Sequence, residues 1–441
     1  MISDTTSPST RRERTGWYMY DWANSAFGTT VVAVFLGPYL TSIAKTAADS
    51  AGFIYPLGVK VHHGSFFPYI VSLSVFLQVF VLPLAGAIAD RTRLKKHFLF
   101  TFAYIGSFAT MAMFFLKGDN YALGAILFLI ANISFGASVV FSNAFLPELA
   151  APEDTDKVSA NGWAVGYLGG GLLLAVNLAF FSNAEKLGFT TGEAVRVCFL
   201  SAGVWWALFS IIPLFTLKVR GFKSDSPQKE NLLKAGFVQL IHTLKDILSK
   251  PATRLFLIAY LLYNDGIQTV IALAAQFGSE ELHLDVGVLT TAILLVQFVA
   301  FFGSLLFKKI AQAISAKKAI ILSLVIWIGT LVYAYAFIKT ATDFYILSAV
   351  IGLVLGGSQA LSRSVFSQMV PLGRESEYFS FYEISDKGTS WIGSLLFGLS
   401  LQITNSYRMA ILSLVILFVA GFLLLLKVNV EKAREESLLK M

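Results

Sequence analysis

The chain has 441 residues, of which 56% are hydrophobic and 14% are charged. Soluble globular domains carry about 25% charged residues, so this composition excludes an ordinary soluble protein and indicates a membrane protein. The net charge of +7 does not indicate nucleic-acid binding, because the basic residues alternate between loops instead of forming one patch. The single cysteine, Cys198, excludes a disulfide framework.

Twelve apolar segments follow one another along the chain. A helix that crosses a bilayer core needs roughly 17 to 25 mostly apolar residues, and every segment reaches this length. They cover about residues 17–44, 66–89, 97–116, 121–145, 158–182, 197–217, 252–277, 286–307, 319–338, 343–370, 376–402 and 409–426. The sequence therefore predicts an all-α membrane protein with twelve transmembrane helices.

Every third segment lacks strongly polar residues. Segments three, six, nine and twelve contain no Asp, Glu, Asn, Gln, Lys or Arg, whereas each of the other eight contains at least one. Because polar groups are costly in hydrocarbon, those eight helices should face other helices or a wet cavity. This period of three, repeated four times, is typical of the major facilitator fold, in which two pseudo-symmetric six-helix bundles flank a substrate site near the midplane.

Basic residues predict how the chain is oriented. Of the 34 lysines and arginines, 25 lie on the side of the two termini, 7 on the opposite side and 2 within helices. Cytoplasmic loops are the ones enriched in Lys and Arg. We therefore expect a multi-pass protein of the cytoplasmic (inner) membrane with both termini in the cytoplasm.

A long polar stretch divides the segments into two groups of six. We expect a cytoplasmic tail at 1–16, a first six-helix bundle at 17–217, a cytoplasmic linker at 218–251, a second bundle at 252–426 and a cytoplasmic tail at 427–441. Apolar residues recur in the linker at helical spacing, at Leu233, Phe237, Leu240, Ile241, Leu244, Ile247 and Leu248. This pattern predicts an amphipathic helix. We expect it to pack beneath the bundle; the alternative is lipid binding, for which its basic residues are few.

The two groups of segments repeat each other weakly. Residues 21–24 (DWAN) in segment one correspond to 265–268 (DGIQ) in segment seven. Residues 136–138 (GAS) in segment four correspond to 356–358 (GGS) in segment ten, at an offset of 220. A duplicated six-helix bundle pairs its helices in this way.

The second segment ends in a candidate gate. Gly86, Asp90 and Arg91 resemble the major facilitator loop pattern G-x-x-x-D-[RK]-x-G-[RK]-[RK], although Arg93 stands at the second glycine position. Glycine permits close helix approach, and the Asp90 carboxylate can meet the positive end of a neighbouring helix. Segment eleven begins on the same side of the membrane, so we expect Asp90 to contact it. The alternative is that the loop only anchors the topology.

Longer motifs are more specific. They are residues 20–27 (YDWANSAF), 143–149 (NAFLPEL), 166–170 (GYLGG), 263–269 (YNDGIQT), 359–364 (QALSRS) and 377–379 (EYF), followed by Tyr382 and Lys387. Together they resemble the vacuole-effluxer-like family, also called the unknown major facilitator family, and they span segments one to eleven. Fungal vacuolar members of that family are associated with autophagy and amino-acid efflux. The resemblance implies a secondary transporter with amino acids as one candidate class of substrate.

Several charged residues lie inside the predicted helices. Arg363 and Glu383 are each about seven residues from the same membrane side, so we expect a structural or gating pair, with substrate binding or proton coupling as the alternative. Asp265 lies near the midplane without a base beside it, which costs about 2.5–3.5 kcal/mol on insertion scales, so we favour a role in coupling over a structural one. Asp21 lies about five residues into segment one and should gate the cytoplasmic mouth, with substrate contact as the alternative. Asn24 lies one turn deeper and should line the cavity.

The candidate residues form two sets. We assign substrate binding or coupling to Asn24, Asp265, Gln268, Gln359, Arg363, Glu383, Asp386 and Lys387, and gating to Asp21, Gly86, Asp90 and Arg91. The mixed charge of the first set suits a zwitterion such as an amino acid, although the same charges could instead neutralise one another. We expect no catalytic residue, metal ligand or cofactor.

The sequence thus predicts a secondary active transporter that moves a small polar organic solute by alternating access. Its expected partners are that solute and the lipid bilayer, with protons as the candidate coupling ion; we expect a monomer. The alternatives are an exporter of metal ions or drug-like compounds, an intramembrane enzyme and a transport-inactive sensor. An enzyme would need a nucleophile–base pair or a metal cluster, and no segment interior contains histidine. A sensor would usually carry a soluble module, for which these loops are too short.

Cysteine labelling tests the orientation. Single cysteines in place of Asp119 and Lys234, in a Cys198→Ser background, should react from opposite sides of the membrane, because the distribution of basic residues separates them. A membrane-impermeant maleimide added to intact cells should modify position 119 alone. Modification of both positions from outside would overturn the topology.

Overall fold

The computed structural model describes residues 9–219, 232–387 and 390–438. These ranges are almost entirely helical. One small antiparallel hairpin interrupts them and pairs β1 (Phe53–Ile54) with β2 (Val61–His62) in the loop after the first membrane crossing.

Helices before the linker form a first group. Their bounds are α1 Arg11–Ala26, a π-helical stretch Phe27–Phe35, α2 Leu36–Thr46, α3 His63–Thr92, α4 Lys95–Ala112, α5 Tyr121–Asn143, α6 Leu146–Leu149, α7 Thr155–Ser182 and α8 Thr191–Thr216. The π-helical stretch joins α1 to α2 in one crossing, and at its end the Leu36 N–H bonds to the Val31 carbonyl, five residues back.

Helices from the linker onward follow in the same way. Their bounds are α9 Leu232–Ser249, α10 Pro251–Glu280, α11 Val286–Ile314, α12 Ala316–Ala336, α13 Ala341–Ser367, α14 Glu375–Lys387, α15 Ser390–Thr404, α16 Tyr407–Ser413, α17 Val415–Lys427 and α18 Val430–Leu438. Helix α9 falls in the stretch predicted to be an amphipathic linker helix. Two of the apolar residues named for it, Leu233 and Phe237, have side chains outside the described residues.

Eleven helices in the described ranges are long and apolar enough to cross a membrane. The remaining predicted segment, 376–402, corresponds to α14 and α15, which lie on either side of residues 388–389. Its apolar part, Ile392–Leu401, is short. Twelve crossings therefore require α14 and α15 to act together as one.

Helix α1 begins at Arg11, six residues before the predicted segment, and so takes in part of the predicted tail. Thr10 and Glu13 form a capping box: Thr10 Oγ1 accepts the Glu13 N–H at 3.2 Å, and Glu13 Oε2 accepts the Thr10 N–H at 2.7 Å. Such reciprocal capping supplies partners to amide groups that a helix start leaves free. As a consequence Asp21 lies ten residues into the helix, about 15 Å from its start.

The two groups meet through the helices predicted to carry polar residues. The main packing between the groups joins α7 to α11 and α13, α14 to α3 and α5, and α9 to α3. The helices predicted to be outer struts, α4, α8, α12 and α17, pack chiefly within their own group. Helices α10 and α15 also pack chiefly on neighbours in the second group. Hydrogen bonds between the groups, such as Ser364–Asp156, Lys308–Asn161 and Ser376–Asp90, lie at the membrane end that carries both termini and the α3–α4 and α13–α14 loops, which we call the terminal face.

Glycines allow the closest helix contacts in the second group. A Cβ added at Gly303 of α11 would lie 2.2 Å from the Leu353 carbonyl oxygen of α13. A backbone carbonyl cannot swing away as a flexible side chain can, so any larger residue must push the two helices apart.

Substitution of Gly303 tests this packing. Gly303→Ala should destabilise the protein by about 1–3 kcal/mol, the usual result of overpacking, and should lower the midpoint of thermal unfolding in detergent. Gly329→Ala is the matched control, because a Cβ at Gly329 on α12 meets no atom within 4 Å. Equal midpoints for the two variants would contradict the close approach of α11 and α13.

Candidate functional site

Arg363 lies at the centre of the contact between the two groups. It stands four residues before the end of α13 and is buried. Its Nη1 donates to Asp21 Oδ2 of α1 at 3.1 Å and to Asn143 Oδ1 of α5 at 3.2 Å. Its Nε and Nη2 donate to the hydroxyl and the carbonyl oxygen of Ser159 on α7, at 3.0 and 2.8 Å. One side chain from the second group therefore binds three helices of the first.

Two tryptophans flank the same guanidinium. Its central carbon lies 4.6 Å from the Trp17 ring centroid and 5.3 Å from that of Trp163. Arginine stacks on aromatic faces through its planar, weakly hydrated charge. The aromatic rings shield the Arg363–Asp21 pair from water and fix the plane of the guanidinium.

The expected pair between Arg363 and Glu383 is wrong, because Arg363 binds Asp21 instead. Arg363 lies four residues from the end of α13, about 6 Å, whereas Glu383 lies eight residues after the start of α14, about 12 Å. The predicted segments ended at residue 370 and began at residue 376, which made the two depths equal, whereas α13 ends at Ser367 and α14 begins at Glu375. Glu383 is buried on α14.

A polar network lies one turn further into the membrane. Gln359 Nε2 donates to Asn264 Oδ1 at 2.8 Å, and Asn264 Nδ2 donates to Asp386 Oδ1 at 2.7 Å. The Tyr260 hydroxyl donates to the same Asp386 oxygen at 2.9 Å. The network thus links α10, α13 and α14, and it brings together Gln359 and Asp386 from the predicted set.

Asp265 is buried beside this network, but its side chain bonds to a different helix, α15. Its Oδ2 accepts the Gly393 N–H of α15 at 2.8 Å. Its Oδ1 is buried and has no hydrogen-bond partner among the described residues, and the same holds for the Thr269 hydroxyl one turn along α10. The site therefore contains a buried carboxylate oxygen that can bind a proton or a donor group.

The other predicted residues take separate places. Asn24 is buried on α1, Gln268 is half-buried on α10, and Arg91 lies exposed at the end of α3. The side chain of Lys387 lies outside the described residues. Proximity of these four to the network around Asp386 stays a prediction.

Asp90 makes the contact predicted for it. Its Oδ1 accepts the Ser376 N–H at 3.2 Å, and its Oδ2 accepts the Glu377 N–H at 2.9 Å, both at the start of α14. Free amides at a helix start carry partial positive charge, so an acidic side chain is stabilised there. Gly86, one turn earlier, permits the approach, because a Cβ there would lie 2.6 Å from the Ser376 carbonyl oxygen.

Lys95 adds a second link at the terminal face. Its Nζ bonds to Glu148 of the first group and lies 3.9 Å from Glu375 Oε2, the first residue of α14. All three side chains are nearly buried. Asp90 and Lys95 thus hold the start of α14 from two neighbouring positions of the first group.

Sequence reasoning assigned no site role to several residues that the structure places here. Asn143 and Asn264 stood out as amides in apolar segments, and that signal could have found them. Ser159 and Tyr260 carry no such signal, because serine and tyrosine are common in membrane helices. Trp163 gave none either, since a tryptophan in an apolar helix usually packs against lipid or protein.

Known proteins resemble this chain over nearly its whole length. Residues 9–438 match the family model described as vacuole effluxer Atg22 like. The MFS-type transporter YxiO of Bacillus subtilis is 31% identical, over 97% of this chain and 97% of YxiO. Autophagy-related protein 22 of Eremothecium gossypii is 27% identical, over 97% of this chain and 93% of the fungal protein.

Solved structures resemble the fold. The proton:xylose symporter XylE superposes with a TM-score of 0.70 at 12% identity, over 94% of this chain and 95% of XylE. The transporter FucP in its outward conformation gives 0.68 at 12% identity, over 95% of this chain and all of FucP. Both belong to the major facilitator superfamily. At such identities the likeness establishes the fold, with twelve helices in two pseudo-symmetric bundles.

A double-mutant cycle tests the Asp21–Arg363 pair. Removing one member of a buried ion pair typically costs about 3–5 kcal/mol, because the other charge stays uncompensated. Asp21→Ala and Arg363→Ala should each lower the thermal midpoint, and the double variant should lose much less than the sum. Glu383→Ala combined with Arg363→Ala is the control and should be additive. Additive losses for Asp21 and Arg363 would show that the pair does not form.

Proposed function

Because this chain belongs to the Atg22-like vacuole effluxer family and is a major facilitator transporter, we propose that it moves amino acids across the cytoplasmic membrane. Transport would proceed by alternating access of one site to the two membrane faces, with proton movement as the driving reaction. The observation that carries this proposal is the buried Asp265 carboxylate, with one oxygen unpartnered among the described residues, beside the Gln359–Asn264–Asp386 network.

The chemistry of this region fits a zwitterion. Asp386 and Asp265 are acceptors for an ammonium group, and the amides of Asn264 and Gln359 can both donate and accept. The carboxylate of an amino acid needs donors, of which the Tyr260 hydroxyl and the amide side chains are the candidates in this region. Binding would then exchange hydrogen bonds inside the network for hydrogen bonds to the substrate.

The terminal face supplies the gate. Asp21–Arg363, Asp90 with the start of α14, and Lys95–Glu375 all cross between the two groups at this face. The charge distribution of the loops puts the terminal face in the cytoplasm. With these contacts formed, the cytoplasmic gate is closed and the transporter is in an outward-facing state. To load substrate for export from the cytoplasm, the contacts must open. Efflux from the cell is the direction we favour.

Reconstitution tests the substrate class. Purified protein in liposomes should take up or release at least one radiolabelled amino acid, and an imposed pH gradient should drive its accumulation. A panel should include sugars and drug-like cations as competing classes. Accumulation confined to one of those classes, or flux of every amino acid equal to that of protein-free liposomes, would contradict the proposal.

Substitution of Asp265 separates coupling from binding. If Asp265 carries the proton, Asp265→Asn should abolish accumulation driven by a pH gradient. It should spare exchange of labelled for unlabelled substrate, because exchange moves no net proton. Paired measurements of accumulation and exchange in the same liposomes give the answer.

Two control variants accompany the measurements on Asp265→Asn. Asp119→Asn, in an exposed loop, should change neither rate. Asp90→Asn should lower both, since the gate serves every cycle. If Asp265→Asn accumulates substrate at the wild-type rate, Asp265 is structural and coupling must lie at Glu383 or Asp386.

A further inference from the structure

Helix α9 packs mainly on α3 of the first group and less on α10 and α14 of the second, and its polar side bonds to the start of α14. Asp246 accepts hydrogen bonds from Arg374 Nη1 at 2.8 Å and from the Tyr378 hydroxyl at 2.6 Å, at the start of α14. Thr243, one turn earlier, donates to Glu377. These contacts turn the polar side of α9 inward, the reverse of an amphipathic helix packed beneath a bundle.

Ile247 is buried and Leu240 is half-buried, but the rest of the apolar side of α9 is left uncovered. Val238, Ile241, Leu244 and Leu248 are between 42% and 60% exposed. At about 100° per residue, these four positions share one side of the helix and form a continuous stripe. Large exposed apolar patches mark interaction surfaces, so this stripe requires a partner.

The position of the stripe identifies that partner. Helix α10, which crosses the membrane, begins at Pro251, and Arg254 Nη1 of its first turn donates to the Leu248 carbonyl oxygen at 2.8 Å. One turn further, Ile258 is 45% exposed and lies on the apolar outer surface of α10. The stripe therefore continues into a surface that faces hydrocarbon. Lys245 is exposed beside the stripe, where a long basic side chain can reach lipid phosphates.

We propose that α9 lies in the membrane interface at the terminal face, with the stripe of Val238, Ile241, Leu244 and Leu248 inserted among phospholipid acyl chains. Insertion is driven by apolar area, because the helix has few basic residues for electrostatic attraction. The helix is thus held by lipid on its stripe and by protein on its other side, where it packs on α3 and bonds to α14 through Asp246 and Thr243. A second copy of the chain or a soluble protein is the competing occupant.

Fluorescence quenching by brominated lipid tests the proposal on the full-length protein in phosphatidylcholine liposomes. A single cysteine at Leu244, in a Cys198→Ser background, carries an environment-sensitive nitrobenzoxadiazole label; Cys198 itself is buried. Ile241→Cys provides a second stripe position, in case one label disturbs folding. His242→Cys is the matched control, because it is exposed but lies about 100° or more around the helix from both.

The expected result is blue-shifted emission at Leu244 and Ile241, with quenching by lipid brominated on the upper acyl chain about twofold stronger than at His242. Equal quenching at all three positions, or none, would overturn the proposal. Blue-shifted emission that brominated lipid does not quench would also overturn it, because a protein surface would then cover the stripe.

Discussion

The guanidinium of Arg363 must be neutralised inside the protein, because the hydrocarbon around the helices provides neither water nor counter-ion. Its three partner residues lie on α1, α5 and α7, all in the first group, while Arg363 itself belongs to the second. Burial of the Arg363 charge is therefore favourable only when the two groups of helices are in contact. The close approach at Gly86 and the hydrogen bonds of Asp90 to the start of α14 depend on the same contact. Both can form only when the two groups meet at the terminal face.

The same contacts are suited to opening. A buried ion pair gives little net stability, since desolvation offsets the attraction. In the proposed opening of the terminal face, water would solvate Asp21, Arg363, Asp90 and Lys95 individually. Hydration of similar magnitude would then replace the hydrogen bonds of the closed state. A gate built from charges can thus be closely balanced, whereas an apolar gate of equal area would strongly favour closure.

Much of this arrangement could be predicted from the sequence. The three-segment period of polar residues identified the outer struts α4, α8, α12 and α17, which pack chiefly within their own groups, and the Asp90 contact followed from a loop pattern and the helix dipole. The pairing of Arg363 with Glu383 was predicted wrongly because segment ten was taken to end at residue 370, whereas α13 ends at Ser367 and leaves the two side chains at different depths. The orientation of α9 about its own axis could not be predicted either, because periodicity shows that a helix is amphipathic but not which side packs against the protein.

The π-helical stretch Phe27–Phe35 has a consequence for motion within the first crossing. An α-helix bonds each N–H four residues back, while a π-helix bonds it five back and so holds surplus residues in each turn. A change from one backbone hydrogen-bond pattern to the other would rotate α2 relative to α1 while the helix stays continuous. Asp21 on one side of this stretch bonds to Arg363 of the second group, while α2 on the other side packs on α3, so a change of pattern would alter the angle between these two attachments.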